Sequence, residues 1–478
     1  MFNLAKRFYD VSKMPNADLI SGDIPSSKTV YRDISKIAMP SVLEMVFMSL
    51  IGSMDTMMVG VLGSAAIAAV GLPGQPRMLM LAIFFALNIG VTAVVARRKG
   101  EGRREDAKQS FRSALLVSFG LSLIVTAIGV LLAEPLMRLA GGNQSTPYEA
   151  QVLKDGTTYF TIMMYALPIN AVTMTINAAQ RGIGNTKITM YVNIISNVVN
   201  VIFNYLLIGG NFGFPKMEVA GAAWASVLGI FIGFLLALYS IISKRTDGFL
   251  RISAKDDWRV NKEALKAITK VGSNAMLEQI ALRIGFFLYA RLIFNLGAES
   301  FASHQICMQF MHISFTVGDG IAIAGTSLVG QMLGKKRRDM AMIYGKACQR
   351  IALTISICMA LAVIPLRYPL VWLFVNANEP HVAELSAQIM IVLACFLPFQ
   401  TSSVVISGCL RGAGDTKYVA AVMMVCVLLL RPLLTSFSIY VLHFGLVGCW
   451  TSSLIDMIIR LTGVYRRFSK GEWTKIKV

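Results

Sequence analysis

Charge is scarce in this sequence: Asp, Glu, Lys and Arg make up 15% of its 478 residues, while 55% are hydrophobic. A water-facing globular protein of that length has too much surface to cover with so few ionised groups, so a soluble fold is excluded. Acids are the scarcer sign, 26 against 45 Lys plus Arg, for a formal net charge of +19. The bases sit between apolar runs rather than on one folded face, which argues against nucleic acid and for contact with a lipid bilayer. Cysteine is absent from the first half. The seven present (307, 348, 358, 395, 409, 426 and 449) form no Cys-x-x-Cys, so neither a disulfide framework nor a thiolate metal site is expected. No phosphate-cradling Walker loop, nucleophile constellation or metal-ligand spacing occurs, and the loops are too short to hold a catalytic domain. An enzyme, an ATP-driven pump and a resident cofactor are therefore not expected. The first 35 residues lack a signal-peptide core; Phe2 to Met14 reads instead as a basic amphipathic piece on the inner membrane surface.

What is abundant is apolar length. The mean hydropathy is +0.62, and about twelve runs are long enough to cross a bilayer as helices, which takes ~20 apolar residues each. They fall near 36–60, 66–96, 112–133, 157–180, 188–209, 217–243, 264–297, 300–333, 350–375, 385–410, 418–442 and 445–467. Basic clusters follow the second, sixth, eighth and twelfth runs: Arg97–Lys99 with Arg103 and Arg104, Lys244 to Arg259, Lys335–Arg338, and Arg466 to Lys470. Loops of the other parity are short or poor in bases. The positive-inside rule then puts both termini in the cytoplasm of a cell-membrane protein, as an even number of spans requires.

The chain repeats itself. Leu43-Glu44 recurs 234 residues later as Leu277-Glu278, Leu62-Gly63 as Leu296-Gly297, and Gly100-x-x-Arg-Arg104 as Gly334-x-x-Arg-Arg338. Arg181-Gly-Ile-Gly-Asn-Thr-Lys187 recurs 230 residues later as Arg411-Gly-Ala-Gly-Asp-Thr-Lys417. Six spans per copy make a parallel repeat about an axis along the membrane normal, an arrangement suited to alternating access. The expected fold is an all-α polytopic membrane protein with twelve transmembrane helices in two pseudo-symmetric six-helix bundles. Its expected parts are a cytoplasmic amphipathic N-terminal segment (1–35), an N-lobe (36–243), a basic cytoplasmic linker (244–263), a C-lobe (264–467) and a cytoplasmic tail (468–478).

Polar residues inside the apolar runs are the candidates for chemistry. Glu44 and Asp55 are spaced to share one face of the first helix, roughly 16 Å apart along its axis. A carboxylate in hydrocarbon costs at least ~2.5–3.5 kcal/mol, so that face is expected to look onto a polar interior. Asn193, Asn197, Asn200 and Asn204 form one stripe on the fifth span; Asn170, Thr173, Asn177 and Gln180 form another on the fourth. Interhelical hydrogen bonding accounts for Asn170, Thr173, Asn193 and Asn197. Asp55 with the amides of Asn177, Asn200 and Asn204 offers hard oxygen ligands for a small cation, with Na⁺ held at Asp55, Asn200 and Asn204, or a protonatable acid in a polar pocket. In the second half, Glu278 and Asp319 are candidates for contact with a cationic substrate, and Gln309 lies on the same face of the eighth span as Gln305, His312, Thr316 and Asp319. Arg283, Arg431 and Asp456 serve equally as structural ion pairs.

The paired Leu-Glu helices, Asp55-x-x-Met-Val-Gly-x-Leu-Gly63, the two Arg-Gly-x-Gly-[Asn/Asp]-Thr-Lys segments and Leu328-Val-Gly-Gln331 resemble the multidrug and toxic compound extrusion (MATE) family across residues 30–465. The resemblance implies a secondary antiporter exporting organic, often cationic, small molecules in exchange for Na⁺ or H⁺, with Asp55, Asn177, Asn200 and Asn204 at an N-lobe cation site. Some members carry a second acid at the Asn204 position, so a single-acid site is implied here. The acids that form a C-lobe cation site in other members are replaced by Leu282 and Gln400. The substrate cavity is expected to use Glu44, Glu278, Asp319, Gln309, Gln400 and Arg283, in a monomer. A flippase for a lipid-linked precursor is the alternative on this type of scaffold. It needs clustered bases facing its cavity, and Arg283 and Arg431 are the residues that keep it open.

Overall fold

The computed structural model describes residues 7–14, 20–142, 146–243, 248–253, 255–375 and 379–476. Every expected span is helical, and no strand occurs among the described residues. The helices are α1 (Ser27–Gly60), α2 (Ser64–Gly100, interrupted near Leu72), α3 (Arg104–Leu131), α4 (Pro147–Tyr165 and Leu167–Gly182), α5 (Thr186–Gly209) and α6 (Glu218–Ile242). The second set is α7 (Lys262–Phe294), α8 (Ala298–Gly334), α9 (Arg338–Trp372), α10 (Pro380–Gly412), α11 (Thr416–Tyr440) and α12 (Gly445–Lys470). Among the described residues nine helices are long and apolar enough to cross a membrane, ten with the bent α4 counted as one span. The other two, α7 and α12, are lowered in hydropathy by Glu278, Gln279 and Arg283 and by Asp456 and Arg460. The protein is an all-α polytopic membrane protein with twelve membrane helices in two pseudo-symmetric sets of six.

Prolines lie within several of these helices, where each removes a backbone donor. The two segments of α4 meet at 53° just before Pro168. Pro40 and Pro398 lie inside α1 and α10, which continue through them. A seven-residue π-helical segment, Met424–Leu430, lies within α11 immediately before Arg431 and Pro432.

The internal repeat is visible in backbone and packing. Gly184 and Gly414 close the turns after α4 and α10 at φ 81° and 89°, a region that favours glycine. Gly102 (φ 73°) has Lys336 (φ 60°) as its counterpart. On α2, Thr92 Oγ1 donates to the Ala178 carbonyl of α4 at 3.0 Å; on α8, Thr326 Oγ1 donates to the Gly408 carbonyl of α10 at 2.8 Å. One turn on, Gly182 and Gly412 let backbones touch. A Cβ on Gly182 would stand 2.8 Å from the Thr92 carbonyl oxygen, and one on Gly412 would overlap that of Thr326. Gly412→Val is therefore expected to destabilise by about 1–3 kcal/mol or more, since backbone cannot swing aside. A thermal melt of detergent-solubilised protein checks this, and an unchanged melting temperature would contradict the close approach.

The chain divides into two compact units. One contains the segment ending at Val42, Gly100–Gly102 and Val271–Val478; the other contains Leu43–Lys99 and Arg103–Lys270. These limits differ from the expected lobes at both ends of the first half. The N-terminal segment groups with the C-terminal unit because it docks on α9: Lys346 Nζ donates to the Met14 carbonyl at 2.6 Å and Ser21 Oγ to Asp339 at 3.1 Å. Val11 and Met14, within the piece expected on the inner membrane surface, are buried against protein. Residues 2–6 of that amphipathic piece lie outside the described residues. The basic linker groups with the N-terminal unit: Arg112 on α3 pairs with Asp256 at 2.8 Å, and the Asn261 N–H donates to Ser113 Oγ at 2.9 Å.

Candidate functional site

In the N-terminal unit, α1 lays its acidic face along the amide stripe of α5. Glu44 and Asp55 are eleven residues apart, and so are their partners Asn193 and Asn204. Two helices running in the same direction with equal spacing keep both pairs in register over three turns. Asn204 Nδ2 donates to Asp55 Oδ1 at 2.7 Å, and Asn193 Nδ2 to Glu44 Oε1 at 2.5 Å. Asp55 is half-buried, whereas Asn200 and Asn204 are buried.

The Asn200 amide sits 2.8 and 3.0 Å from the two Asp55 oxygens, and its other end meets Ser226 Oγ at 3.1 Å. Its orientation decides the chemistry. With Nδ2 toward Asp55, it donates to an ionised carboxylate; with Oδ1 there, two acceptors face each other and need a proton or a cation between them. Asn204 Oδ1 is likewise buried without a partner among the described residues. No three His, Cys, Asp or Glu side chains gather there or elsewhere among the described residues. A bound Na⁺ would thus rely on one carboxylate with amide and hydroxyl oxygens, a donor set these residues supply.

Several expectations change. Asn177, expected beside Asp55, donates instead to Asn193 Oδ1 at 3.4 Å and belongs to the Glu44 cluster, because it lies one turn before Arg181 on α4. Glu44, expected to face substrate, is fully enclosed: it is bridged to Arg181, accepts from Thr189 Oγ1 at 3.0 Å, and takes the Asn193 bond. The C-terminal unit repeats this bridge. Glu278 is also fully enclosed, and Arg411 holds it through Nε at 3.2 Å and through Nη2. The repeated Leu-Glu pair and the repeated Arg-Gly-x-Gly turn are thus two ends of one ion pair in each unit. Sequence reasoning saw both motifs and missed their pairing; that both recur at nearly the same offset was the available signal.

The Asp55 cluster is not repeated. Shifted by the same offsets, Asp55, Asn200 and Asn204 become Tyr289, Leu430 and Leu434. The Tyr289 hydroxyl donates to the Cys449 carbonyl at 3.1 Å inside the apolar core. Gln400, expected to line a cavity, is fully buried instead, since α10 is packed on by α8, α9 and α12. Arg431 is locked to Asp456 Oδ2 at 2.7 Å and lies over the Phe286 and Tyr289 rings, so it adds no basic surface. Arg283, Gln309 and Asp319 are exposed side chains on α7 and α8.

Comparisons with known proteins agree with this architecture. The MatE family model matches residues 40–206 and 275–436. A probable multidrug resistance protein NorM of Thermotoga maritima is 27% identical over 451 residues, covering 93% of this chain and 94% of that protein. Two solved structures superpose at a TM-score of 0.85 and 20% identity. A MOP superfamily transporter from Pyrococcus furiosus covers 94% of this chain and 97% of its own. A multidrug resistance MATE family transporter in an outward-facing conformation covers 93% and 97%. The structural likeness speaks for the fold, and the family match takes in both copies of the repeat that carry the acid–arginine bridges. The chain belongs to the MATE family of membrane transporters.

Proposed function

We propose that the protein is an ion-coupled antiporter of the cell membrane, monomeric and with both termini in the cytoplasm, that exports organic, often cationic, compounds in exchange for Na⁺ or H⁺. The observation that carries this reading is Asp55, a half-buried carboxylate in an apolar helix whose buried partners are the turnable amides of Asn200 and Asn204. Ionised, Asp55 is held by amide N–H groups. Neutralised by a proton or Na⁺, it no longer carries the expense of a charge within the bilayer, and the amides present oxygens instead. A ligand that changes the energy of one conformation relative to another shifts their populations, so occupancy of Asp55 biases alternating access. The exposed Asp319 and Gln309 on α8, with Arg283 on α7, are the side chains we assign to the substrate path.

The test is efflux of a cationic dye from proteoliposomes under separately imposed Na⁺ and pH gradients. Dye movement driven by either gradient is the expected result. Movement indifferent to both would remove the antiport reading and leave the flippase alternative, which substituting dye by a lipid-linked pyrophosphate examines directly.

A further inference from the structure

The C-terminal unit holds a second buried polar cluster that the proposed transport cycle does not use. α10 and α12 pack against each other and run the same way. Leu393 and Leu397 share a core with Trp450 and Met457, while Val405 and Leu410 share the next with Val464 and Phe468. Each helix carries a polar stripe with the same steps of three and four residues: Gln400, Ser403 and Ser407 on α10, Ser453, Asp456 and Arg460 on α12. All six residues are at most 4% exposed. On α10 this stripe lies apart from the residues bonded to α8 (Thr401, Gly408) and to α9 (Ser402).

Polar atoms on both stripes lack a partner among the described residues: Nε2 and Oε1 of Gln400, the hydroxyls of Ser403 and Ser407, Oδ1 of Asp456 and Nε of Arg460. Buried polar groups are seldom left in this state. The charge is also uneven. Arg431 Nε and Nη2 donate to Asp456 Oδ2 at 3.0 and 2.7 Å, and Arg460 Nη2 donates to the same oxygen at 2.8 Å. Two guanidinium groups, which do not deprotonate, share one carboxylate, so one positive charge remains inside a bundle that spans the bilayer. That surplus positive charge disfavours a cation along the seam.

We propose that the seam between α10 and α12 binds a small monovalent anion of halide size. Arg460 Nε, Gln400 Nε2 and the Ser403 and Ser407 hydroxyls supply the donors, and the anion balances the charge left by Arg431, Asp456 and Arg460. The site is independent of Asp55 and of the direction of transport.

The experiment uses the full-length protein in detergent, titrated with chloride or bromide against gluconate at constant ionic strength, with melting temperature as the readout. The wild type is expected to gain stability along a saturating halide curve. Arg460→Met removes the excess charge and leaves a neutral Asp456–Arg431 pair, so its halide dependence should vanish while its stability in gluconate is kept or raised. Ser407→Ala, a milder change, should shift the halide midpoint upward by about tenfold, as loss of a hydrogen bond to a charged group does. If Arg460→Met fails to fold, Ser407→Ala and Gln400→Leu decide the matter. A wild-type melting temperature insensitive to halide, or a halide curve unchanged in the folded variants, overturns the proposal. Bromide-soaked crystals give a second reading: anomalous density is expected between α10 and α12, and bromide found only elsewhere refutes the site.

Discussion

Asp55→Asn protein is expected to insert, fold and still bind dye, yet to show no efflux above the passive leak under either a Na⁺ or a pH gradient. Asparagine fills the same space and still offers an acceptor oxygen to Asn204 Nδ2, which now donates to Asp55 Oδ1 at 2.7 Å. What it removes is the charge that a proton or Na⁺ neutralises. With no difference in free energy between loaded and unloaded states, the ion gradient has nothing to act on. A merely structural Asp55 would give the opposite outcome: a lowered melting temperature with gradient dependence intact. Proteoliposome flux and a thermal melt on the same preparation separate the two, and full coupled efflux by the variant would take Asp55 out of the mechanism.

The second large effect concerns the bridges. Arg411→Met leaves Glu278 fully enclosed with no cation beside it, and breaking one side of a buried pair typically costs about 3–5 kcal/mol. The double variant Glu278→Gln with Arg411→Met removes the stranded charge and is expected to recover most of the loss. In the N-terminal unit the same experiment at Arg181 should be milder. Glu44 keeps hydrogen bonds from Thr189 and Asn193, whereas the positions equivalent to these in the second half are Val419 and Met423. Melting temperatures of the two single variants and the double test this ordering. Equal losses at Arg181 and Arg411 would show that the Thr189 and Asn193 bonds contribute nothing to holding Glu44.

Enclosure of Glu44 and Glu278 bears on how such residues are read. An acid in an apolar helix announces that it is not facing lipid, since the energy of a bare charge there is prohibitive. That reasoning holds equally for a carboxylate open to substrate and for one sealed against an arginine. Asp55 and Glu44 lie on one helix face and are chemically alike in sequence, yet one sits among amides and the other against Arg181.

The sequence alone determined the class, the twelve spans and the repeat, because hydrophobic length, basic loops and recurring motifs are local properties written into consecutive residues. It also placed Asp55 and the α5 amides on single helix faces, since helical period follows from spacing. Partnership was decided by the tertiary structure: that Arg181 and Arg411 close on Glu44 and Glu278, that Asn177 joins Glu44 rather than Asp55, and that Gln400 is shut inside the α8–α10–α12 packing. Those outcomes depend on which faces of distant helices meet and at what height. Spacing within one helix carries no record of that; the packing of many apolar side chains along whole helices sets it.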